Sequence, residues 1–379
     1  MIHDVIVVGS GPGGAVAATT LTQQGKSVLL VDRQTFPRDK VCGDGLPIHV
    51  MLMLREMGID IERDGLEYQR VTGLTIEAPS GKALSTEEIT DDAFSMTSPR
   101  LSFDNVLHQH AIKSGAQFEV MNVIKPLIDD KSKRVIGVIE RRGKEQIEHE
   151  AKMVIAADGA TSALARAMHG RTADPQAIAV SIRAYAYLKK PMPACVYFYF
   201  TRDLLPGYAW IFPTAGNRCN IGVYLHNQDY KSRGADLEAL LDEFSARMQR
   251  EFPHEIDTPT RQTWSLPLYA DRHSRFAPGL LFVGDAGGFV NALTGGGIYP
   301  AMMTGQAAGK IAAKILAGET SEAEYDVAWQ RDVSGSLGRA RLMQKHILSS
   351  AKIFNSVFAL ANLPILRGPM LRVMSGEHY

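Results

Sequence analysis

The first 31 residues alternate between apolar runs and a helical pattern. Residues 4–8 and 27–31 are short apolar runs that predict buried strands. Between them lie a glycine-rich stretch, residues 9–14, and a run of small and apolar residues, 15–24, which predicts a helix. The order strand, turn, helix, strand is typical of a βαβ unit that begins a parallel sheet.

The middle of the chain has a different pattern. Four extended runs, at 180–187, 195–200, 208–212 and 220–225, follow one another with only short turns between them. Consecutive strands at such short spacing predict a largely antiparallel sheet. Further patterns predict extended segments at 71–85, 117–120, 134–140 and 153–156, helices at 103–111 and 236–248, and a strand, turn and helix at 279–315.

With 379 residues, the chain exceeds the length at which a single core usually stops growing, so we expect two packed domains. We predict an α/β fold (α+β overall), in which a discontinuous Rossmann-type domain carries an inserted, mainly antiparallel sheet. The predicted boundaries are 1–66, 100–178 and 265–332 for the Rossmann-type domain, 67–99 and 179–264 for the inserted domain, and 333–379 for a C-terminal helical segment.

The C-terminal segment is basic and apolar. Its six Lys and Arg residues face a single acid, Glu377, among apolar groups such as Ile347 and Phe358. A basic amphipathic helix can lie on an anionic membrane surface. The same pattern also suits a helix that packs on its own domain with its charges in solvent. Both interpretations stay open at this point.

Composition excludes several classes of partner. Lys and Arg number 41, as do Asp and Glu, so no net charge attracts nucleic acid. No apolar stretch is long enough to span a bilayer, and the chain opens on a predicted strand rather than a signal peptide. Three cysteines and eleven histidines show no disulfide or metal-ligand spacing, so no metal is assigned. We expect a cytoplasmic protein, in solution or attached at a membrane surface, of undetermined oligomeric state.

The glycine-rich turn reads Gly-x-Gly-x-x-Gly at Gly9, Gly11 and Gly14. In that order, the glycines permit a tight turn, close approach of the backbone to a pyrophosphate, and close packing of strand and helix. The following helix offers free N–H groups and the positive end of its dipole to phosphates. Asp32, at the end of the second predicted strand, can accept hydrogen bonds from an adenosine ribose. These residues predict a dinucleotide site without separating NAD from FAD.

Later segments favour a flavin. Asp158 and Asp285 each follow an apolar strand and stand beside glycine, where a carboxylate can accept from a hydroxyl of the flavin ribityl chain. Residues 294–298 (Thr-Gly-Gly-Gly-Ile) form a turn bare of side chains just before a predicted helix. Backbone N–H groups in such a turn can approach a flat ring and stabilise charge on it. We therefore predict FAD as the cofactor.

The three motifs, in this order, resemble the FAD motifs of the hydroxylase-type flavoproteins. Within that superfamily, residues 37–45 (PRDKVCGDG) resemble the Lys-x-Cys-Gly-Gly/Asp-Gly loop of the geranylgeranyl reductase family. Residues 208–213 (YAWIFP) are similar to that family's Tyr-x-Trp-x-Phe-Pro substrate-cavity motif. Residues 284–305 are similar to its stretch from Gly-Asp-Ala through Gly-Ile-Tyr into the next helix. The resemblance spans residues 1–310.

The resemblance implies how FAD is held. The first glycine motif and Asp32 would bind the ADP half, and Arg100 would lie near the phosphates. Asp285 would contact the ribityl chain, and the loop of Cys42 would lie over the flavin edge. The residues assigned to FAD binding are Gly9, Gly11, Pro12, Gly13, Gly14, Asp32, Arg33, Cys42, Gly43, Arg100, Val123, Asp158, Gly284, Asp285, Gly295, Gly296, Gly297 and Ile298.

Four residues are assigned to the substrate side. Cys42 is the catalytic candidate, because a thiol near the flavin could donate a proton to a substrate carbon; alternatively it is a small residue that fits a tight loop. Tyr208, Trp210 and Phe212 share one face of a strand. They would line an apolar cavity for a polyprenyl chain, or else form a core between the domains.

The family resemblance implies a flavin-dependent reductase that saturates carbon–carbon double bonds of an isoprenoid or other apolar small molecule. Electrons would come from NADPH or from a reduced ferredoxin-like carrier. Where the family commonly has Asn-Pro-Leu-Thr-Gly-Glu-Gly, residues 291–297 read Asn-Ala-Leu-Thr-Gly-Gly-Gly. This departure leaves two alternatives: a flavin monooxygenase acting on an aromatic or lipid substrate, and a non-catalytic flavin-binding protein. Gly287 and Gly288 count against the monooxygenase, because hydroxylases often have histidine in this region.

Overall fold

A computed structural model describes residues 2–87, 93–170, 173–270 and 274–361. In chain order, the strands are β1 (His3–Val8), β2 (Val28–Asp32), β3 (Gly45–Leu46), β4 (Gln69–Arg70), β5 (Gly73–Glu77), β6 (Ala83–Glu87), β7 (Met96–Thr97), β8 (Gln117–Val120), β9 (Val123–Ile128), β10 (Val135–Arg142), β11 (Glu145–Ala156), β12 (Ile178–Leu188), β13 (Cys195–Tyr199), β14 (Tyr208–Thr214), β15 (Arg218–His226), β16 (His254–Pro267), β17 (Phe276–Ala277) and β18 (Leu280–Phe282). The helices are α1 (Pro12–Gln23), α2 (Ile48–Glu56), α3 (Arg100–Lys113), α4 (Ala163–His169), α5 (Asn227–Arg233), α6 (Leu237–Met248), α7 (Ile298–Leu316), α8 (Ala323–Trp329), α9 (Gly335–His346) and α10 (Ala351–Ala361).

The first sheet is built around parallel strands in the order β17-β18-β11-β1-β2-β8. Strand β1 pairs with β2 and β11 in parallel, with Val5 opposite both Val28 and Met153. Every residue of β2 is buried, and so are the last four of β1, because helices or strands cover both faces of the sheet. Helices α1, α3 and α7 pack on one face around Val5, Val7 and Leu30.

The N-terminal half of β11 leaves this parallel sheet and pairs with β10, which in turn pairs with β9, both antiparallel. The sequence patterns predicted β10 and the end of β11 but not β9. Strand β9 contains Pro126 and mixes polar with apolar residues, a composition that argues against a central strand. It forms at the sheet margin, where β10 is its one strand partner within the described ranges.

The second sheet has seven strands in the order β16-β12-β15-β14-β13-β5-β6. All its pairs are antiparallel except β13 with β5, so the prediction of a mainly antiparallel sheet is confirmed. One face packs against α6 through Ile211, Leu241 and Phe244. The opposite face carries Tyr208, Trp210 and Phe212. The predicted α/β fold is confirmed, whereas the domain boundaries stay predictions.

Helices α9 and α10 follow α8 after a π-helical turn, Gln330–Ser334. Their inner sides join the apolar cluster of the second sheet; the ring of Phe354 lies 5.0 Å from that of Phe200. The remaining predicted C-terminal segment, with Arg367, Arg372 and Glu377, lies outside the described residues. Within the described ranges, no helix has the length and apolar character needed to cross a bilayer.

Candidate active site

A cavity of about 550 Å³ lies between the two large sheets. Its floor is the beginning of α1 and α7, its side is the loop that contains Cys42, and its roof is the aromatic face of the second sheet. The volume lies in the range of small-molecule sites. The lining residues on which the description below depends are Pro12, Lys40, Cys42, Gly43, Arg100, Phe198, Tyr208, Trp210, Phe212, Tyr224, Trp264, Asp285, Gly295, Gly296, Gly297 and Ile298.

The cavity crosses the whole width of the second sheet. Every strand of that sheet contributes to its wall, from Trp264 on β16 at one edge to Thr86 on β6 at the other. Seven strands are separated by six spacings of about 4.8 Å, so the wall is about 29 Å wide. The cavity therefore lies under all seven strands of the sheet.

Helices α1 and α7 both begin at this cavity, where Pro12 and Ile298 line it. Neither helix has a side chain that caps its N-terminus. The two helices cross closely through glycine: a Cβ on Gly305 would lie 2.2 Å from the carbonyl oxygen of Gly13. Two uncapped helix starts at one cavity provide N–H donors and positive dipole ends that favour phosphate or an anionic ring.

The glycines of the first motif show the expected spatial constraints. Gly9 has φ +100°, and a Cβ there would lie 2.2 Å from the carbonyl oxygen of Ala157. A Cβ on Gly14 would lie 1.8 Å from the carbonyl oxygen of Gly9, whereas one on Gly11 would meet only the tip of Arg38. The backbone at Gly11 is therefore accessible to a ligand such as a pyrophosphate, while Gly9 and Gly14 permit tight packing.

Asp32 lies at the end of β2, beside this turn. Its Oδ2 accepts a hydrogen bond from the Ser10 amide at 2.9 Å, and its Oδ1 accepts one from the Gln34 amide at 3.0 Å. A carboxylate has about four acceptor sites, so capacity for ribose hydroxyls is left. The turn, the helix start and this carboxylate together fit the ADP half of a dinucleotide.

The second glycine run lies at the start of α7. Gly295 has φ +66°, and a Cβ on Gly297 would lie 3.2 Å from Oδ1 of Asp285. The Lys40 ammonium group is 3.2 Å from Oδ2 of Asp285 and 5.6 Å from the ring centre of Trp264. Bare backbone and one carboxylate here fit the flat ring and hydroxylated chain of a flavin.

Arg100 is buried at the start of α3 and lines the cavity. It makes two hydrogen bonds of 2.6 Å to the carboxylate of Asp104. Arg38 donates to the same carboxylate at 2.9 Å. Because Arg38 also lies 3.8 Å from Asp32, two guanidinium groups and two carboxylates form one charged cluster beside the cavity.

The Cys42 thiol lies in the loop between β2 and β3. Burial raises its pKa, the positive charge of Arg100 opposes this shift, and the negative charge of Asp44 adds to it. The thiol is therefore protonated at neutral pH. The Asn220 side chain holds the loop by donating to the Cys42 carbonyl oxygen at 2.7 Å.

Tyr208, Trp210 and Phe212 all line the cavity, and Phe198 and Tyr224 complete the aromatic wall. Tyr208 donates through its hydroxyl to the carbonyl oxygen of Thr294, so the wall is hydrogen-bonded to the second glycine run. The ring of Phe198 lies 5.2 Å from Tyr208 and 5.0 Å from Phe212, both edge-to-face. The three predicted residues thus form a cavity wall and part of an apolar core at once.

Half of the eighteen residues assigned to FAD lie outside the cavity lining, namely Gly9, Gly11, Gly13, Gly14, Asp32, Arg33, Val123, Asp158 and Gly284. Asp158 accepts from the Ser162 hydroxyl at 2.6 Å and from the Ala163 amide at 2.8 Å, so its carboxylate orders the start of α4. Arg33 is exposed next to Asp32, and Val123 lies half-buried on β9.

Sequence patterns gave no role to Lys40 or Asp44 beyond their place in the loop motif, and none to Tyr224 or Trp264. Lys40 and Asp285 are 245 positions apart and come together only because the turn after β18 and the Cys42 loop meet at the cavity. Tyr224 on β15 and Trp264 on β16 stand as single aromatic residues on their strands, so no alternation indicated which face of the strand would line the cavity.

The model of the FAD-binding domain family matches residues 3–331. Digeranylgeranylglycerophospholipid reductase 1 of Methanopyrus kandleri is 30% identical, and the match covers 90% of this chain and 89% of that protein. The chain belongs to the geranylgeranyl reductase family of FAD-dependent oxidoreductases.

A further relative and a solved structure are also similar to this chain. Menaquinone reductase of Mycolicibacterium smegmatis is 28% identical over 95% of this chain and 85% of its own. A geranylgeranyl bacteriochlorophyll reductase-like protein from Thermoplasma acidophilum has the same fold, with a TM-score of 0.81 and 24% identity. The match covers 91% of this chain and 87% of that protein. The family resemblance, the FAD cofactor and the assignment as an oxidoreductase are therefore confirmed. No cluster of side chains suited to a metal ion occurs among the described residues of this family member.

Proposed function

We propose that this family member reduces carbon–carbon double bonds in an isoprenoid chain. The observation that carries the proposal is the apolar cavity, which lies under all seven strands of the second sheet. A compact aromatic substrate would need only a fraction of a wall about 29 Å wide, whereas a long flexible chain makes use of its full width. A relative named digeranylgeranylglycerophospholipid reductase supports the same substrate class.

Residues of the cavity floor, together with the first glycine turn beside it, would hold FAD. Gly9 and Gly11 to Gly14, with Asp32, would bind the ADP half, and the guanidinium of Arg100 would balance phosphate charge. Asp285 would accept from the ribityl hydroxyls, and Gly295 to Gly297 with Ile298 would contact the ring. Arg33 and Val123 would bound the outer end of the site. Asp158 would act indirectly, because its carboxylate is engaged by its own loop.

When bound and reduced, FAD supplies the hydride for one carbon of the double bond. The second carbon needs a proton, which we assign to Sγ of Cys42. Burial raises the pKa of this thiol, so the proton is present at neutral pH. The thiolate left behind recovers a proton from water. Arg100 and Lys40 lower the cost of that transient negative charge.

The aromatic wall would hold the isoprenoid chain next to the Cys42 thiol. Tyr208, Trp210 and Phe212 present apolar surface along the cavity, while their polar atoms are engaged elsewhere: the Trp210 indole N–H donates to Oδ1 of Asn220 at 2.9 Å. A wall with satisfied polar groups excludes water from the reacting carbons without offering competing hydrogen bonds.

Anaerobic turnover tests the proposal. Protein whose flavin has been reduced with dithionite is mixed with geranylgeranyl diphosphate, or with a prenylated quinone, and flavin absorbance is followed. We expect reoxidation by the prenyl substrate, slowed at least tenfold in Cys42→Ser with little change in flavin content. A flavin that stays reduced until air is admitted, followed by oxygen insertion into another compound, would instead establish the monooxygenase alternative.

We propose that NADPH or a reduced ferredoxin-like carrier returns electrons to the flavin. The two donors are distinguished by anaerobic titration of the oxidised holoenzyme with each. Bleaching of flavin absorbance by NADPH at a rate equal to or above turnover identifies the nucleotide. Bleaching only by the photoreduced carrier identifies the protein donor.

We also propose that helices α9 and α10 contact an anionic membrane. Residues 333–361 contain no acid, and their exposed side combines Arg339, Lys345 and Lys352 with Leu342 and Ile353. Basic and apolar groups on one helical face suit an anionic lipid surface. The inner side of the pair belongs to the same apolar cluster as the cavity wall, so docking would bring that wall towards lipid-borne substrate.

A further inference from the structure

Asp44 adopts a conformation that normally favours glycine. It is fully buried and has φ +65°, between Gly43 and Gly45. Glycine adopts this left-handed region without cost, and aspartate tolerates it better than most residues with a Cβ. What calls for an explanation is a carboxylate in a fully buried position where glycine would also fit the backbone.

The carboxylate of Asp44 joins the loop to the second sheet. Its Oδ2 accepts from the Tyr185 hydroxyl at 2.6 Å and from Nδ2 of Asn220 at 2.8 Å. Its own amide faces Sγ of Cys42 at 3.3 Å, and its carbonyl oxygen accepts from the Ser98 amide at 3.0 Å. Oδ1 is buried and has no hydrogen-bond partner in the part of the chain that the structure describes.

Asn220 extends this connection to the cavity wall. Its Nδ2 donates both to Asp44 and to the Cys42 carbonyl oxygen, and its Oδ1 accepts from the indole of Trp210. The result is a continuous path from the substrate wall through Asn220 to the backbone of Cys42. Asp44 anchors the end of that path at Tyr185 on β12.

Several charged groups surround Asp44. Arg183 is fully buried and pairs with Asp39 at 2.8 Å, and its positive charge opposes protonation of Asp44. Burial nevertheless raises the pKa of Asp44 to about 6, with a smaller contribution from Asp39. On the side of the thiol, Arg100 and Lys40 lower the pKa of Cys42 while Asp44 raises it. Asp44 therefore changes charge close to neutral pH, next to the Cys42 thiol.

We propose that Asp44 is a positioning residue, which fixes the Cys42 loop against the cavity wall through Asn220. Its carboxyl group accepts from the Tyr185 hydroxyl and the Asn220 amide and so connects the loop to β12. Because burial raises the pKa of this carboxyl group in the anchored loop, ionisation above pH 6 weakens the anchor and favours release of the loop. The inference relies on the proposed reductase only for the chemical role of Cys42, and its test needs no substrate.

The test is the rate at which iodoacetamide alkylates Cys42 in the holoenzyme, measured by peptide mass mapping between pH 5 and 8.5. Asp44→Gly is the principal variant, because glycine suits φ +65° and the fold is retained. We expect alkylation at least tenfold faster in Asp44→Gly at pH 7.5, since the loop loses its anchor and the thiolate loses a repelling charge. Alkylation of Cys42 should also be faster in Asn220→Ala, although this variant keeps Asp44.

The pH dependence separates positioning from a purely structural role. In the unmodified protein, a plot of the logarithm of the alkylation rate against pH should change slope near pH 6. This change of slope, the break, should vanish in Asp44→Gly and Asp44→Asn. Asp130→Asn, which removes an exposed acid on the β9–β10 turn, serves as the control and should keep it. Folded Asp44→Gly and Asn220→Ala proteins that react at the unmodified rate, with the break in place, would overturn the inference.

Discussion

A methyl group added at Gly222 should displace the indole of Trp210. Gly222 lies on β15, opposite Trp210 on β14. A Cβ at Gly222 would lie 2.2 Å from Cζ2 and 2.4 Å from Cη2 of that ring, and 2.5 Å from the carbonyl oxygen of Ile182. The backbone of Ile182 is fixed because it belongs to the neighbouring strand β12, so the indole ring of Trp210 must move into the cavity. That movement breaks its hydrogen bond with Asn220.

The expected cost of Gly222→Ala combines two contributions. Overpacking a well-packed interior costs about 1–3 kcal/mol, and loss of one buried hydrogen bond costs about 1 kcal/mol. We therefore expect the free energy of unfolding to fall by about 2–4 kcal/mol. The displaced ring also narrows the cavity, so reduction of a prenyl substrate should slow more than the stability loss alone would cause.

Urea unfolding of Gly222→Ala, Trp210→Phe and the double variant measures this directly. A phenyl ring lacks the distal atoms that Cβ would meet, so the added methyl should be at least 1 kcal/mol less costly in the Trp210→Phe background. Equal costs of Gly222→Ala in both backgrounds would refute the placement of Trp210 over Gly222.

Three further predictions follow from other parts of the molecule. Gly14→Ala should yield protein without bound FAD, because its Cβ would lie 1.8 Å from a backbone oxygen, whereas Gly338→Ala, with nothing within 4 Å, should keep its flavin absorbance. As pH rises from 4 to 7.5, the free energy of unfolding of Asp44→Asn should increase by about 3 kcal/mol relative to that of the unmodified protein. Burial raises the pKa of Asp44 from 3.8 to about 6, so its ionisation destabilises the folded state, not at all below pH 3.8 and fully above pH 6. Urea unfolding free energies of the two proteins that stay parallel across this pH range would contradict the prediction. The double variant Leu342→Gln, Ile353→Gln should reduce at least fivefold the amount of protein that floats with anionic vesicles, and should not change the amount that floats with neutral ones. Unchanged flotation with anionic vesicles would exclude membrane contact through the exposed side of α9 and α10.

The local parts of the fold could be predicted from the sequence. The opening βαβ unit follows from two apolar runs and three glycines, and the structure gives Gly9 and Gly14 a steric reason while it leaves the backbone at Gly11 accessible. The aromatic face at Tyr208, Trp210 and Phe212 follows from the alternation of side chains along a strand. These features depend on neighbours within a few residues, so the pattern contains them.

The width of the cavity wall and the Asp44 connection could not be predicted in this way. The width depends on the order of seven strands, including the parallel pairing of β5 with β13, whose paired residues are 122 positions apart in the chain, as Cys195 and Gly73 show. Asp44 meets Tyr185 and Asn220 across 141 and 176 positions. The one local sign was an acid flanked by glycines in a loop, and a charge there gives no information about its distant partners.

The central claim is that bound flavin reduces an isoprenoid chain held along the aromatic wall. The most direct measurement is the mass of the product after anaerobic incubation of the reduced protein with a geranylgeranyl substrate. We expect a gain of two mass units for each double bond, matched by the amount of flavin reoxidised, and a smaller yield when Trp210→Ala opens a gap in the middle of the wall. A substrate recovered unchanged from fully reduced, folded protein, with products formed only after oxygen is admitted, would contradict it.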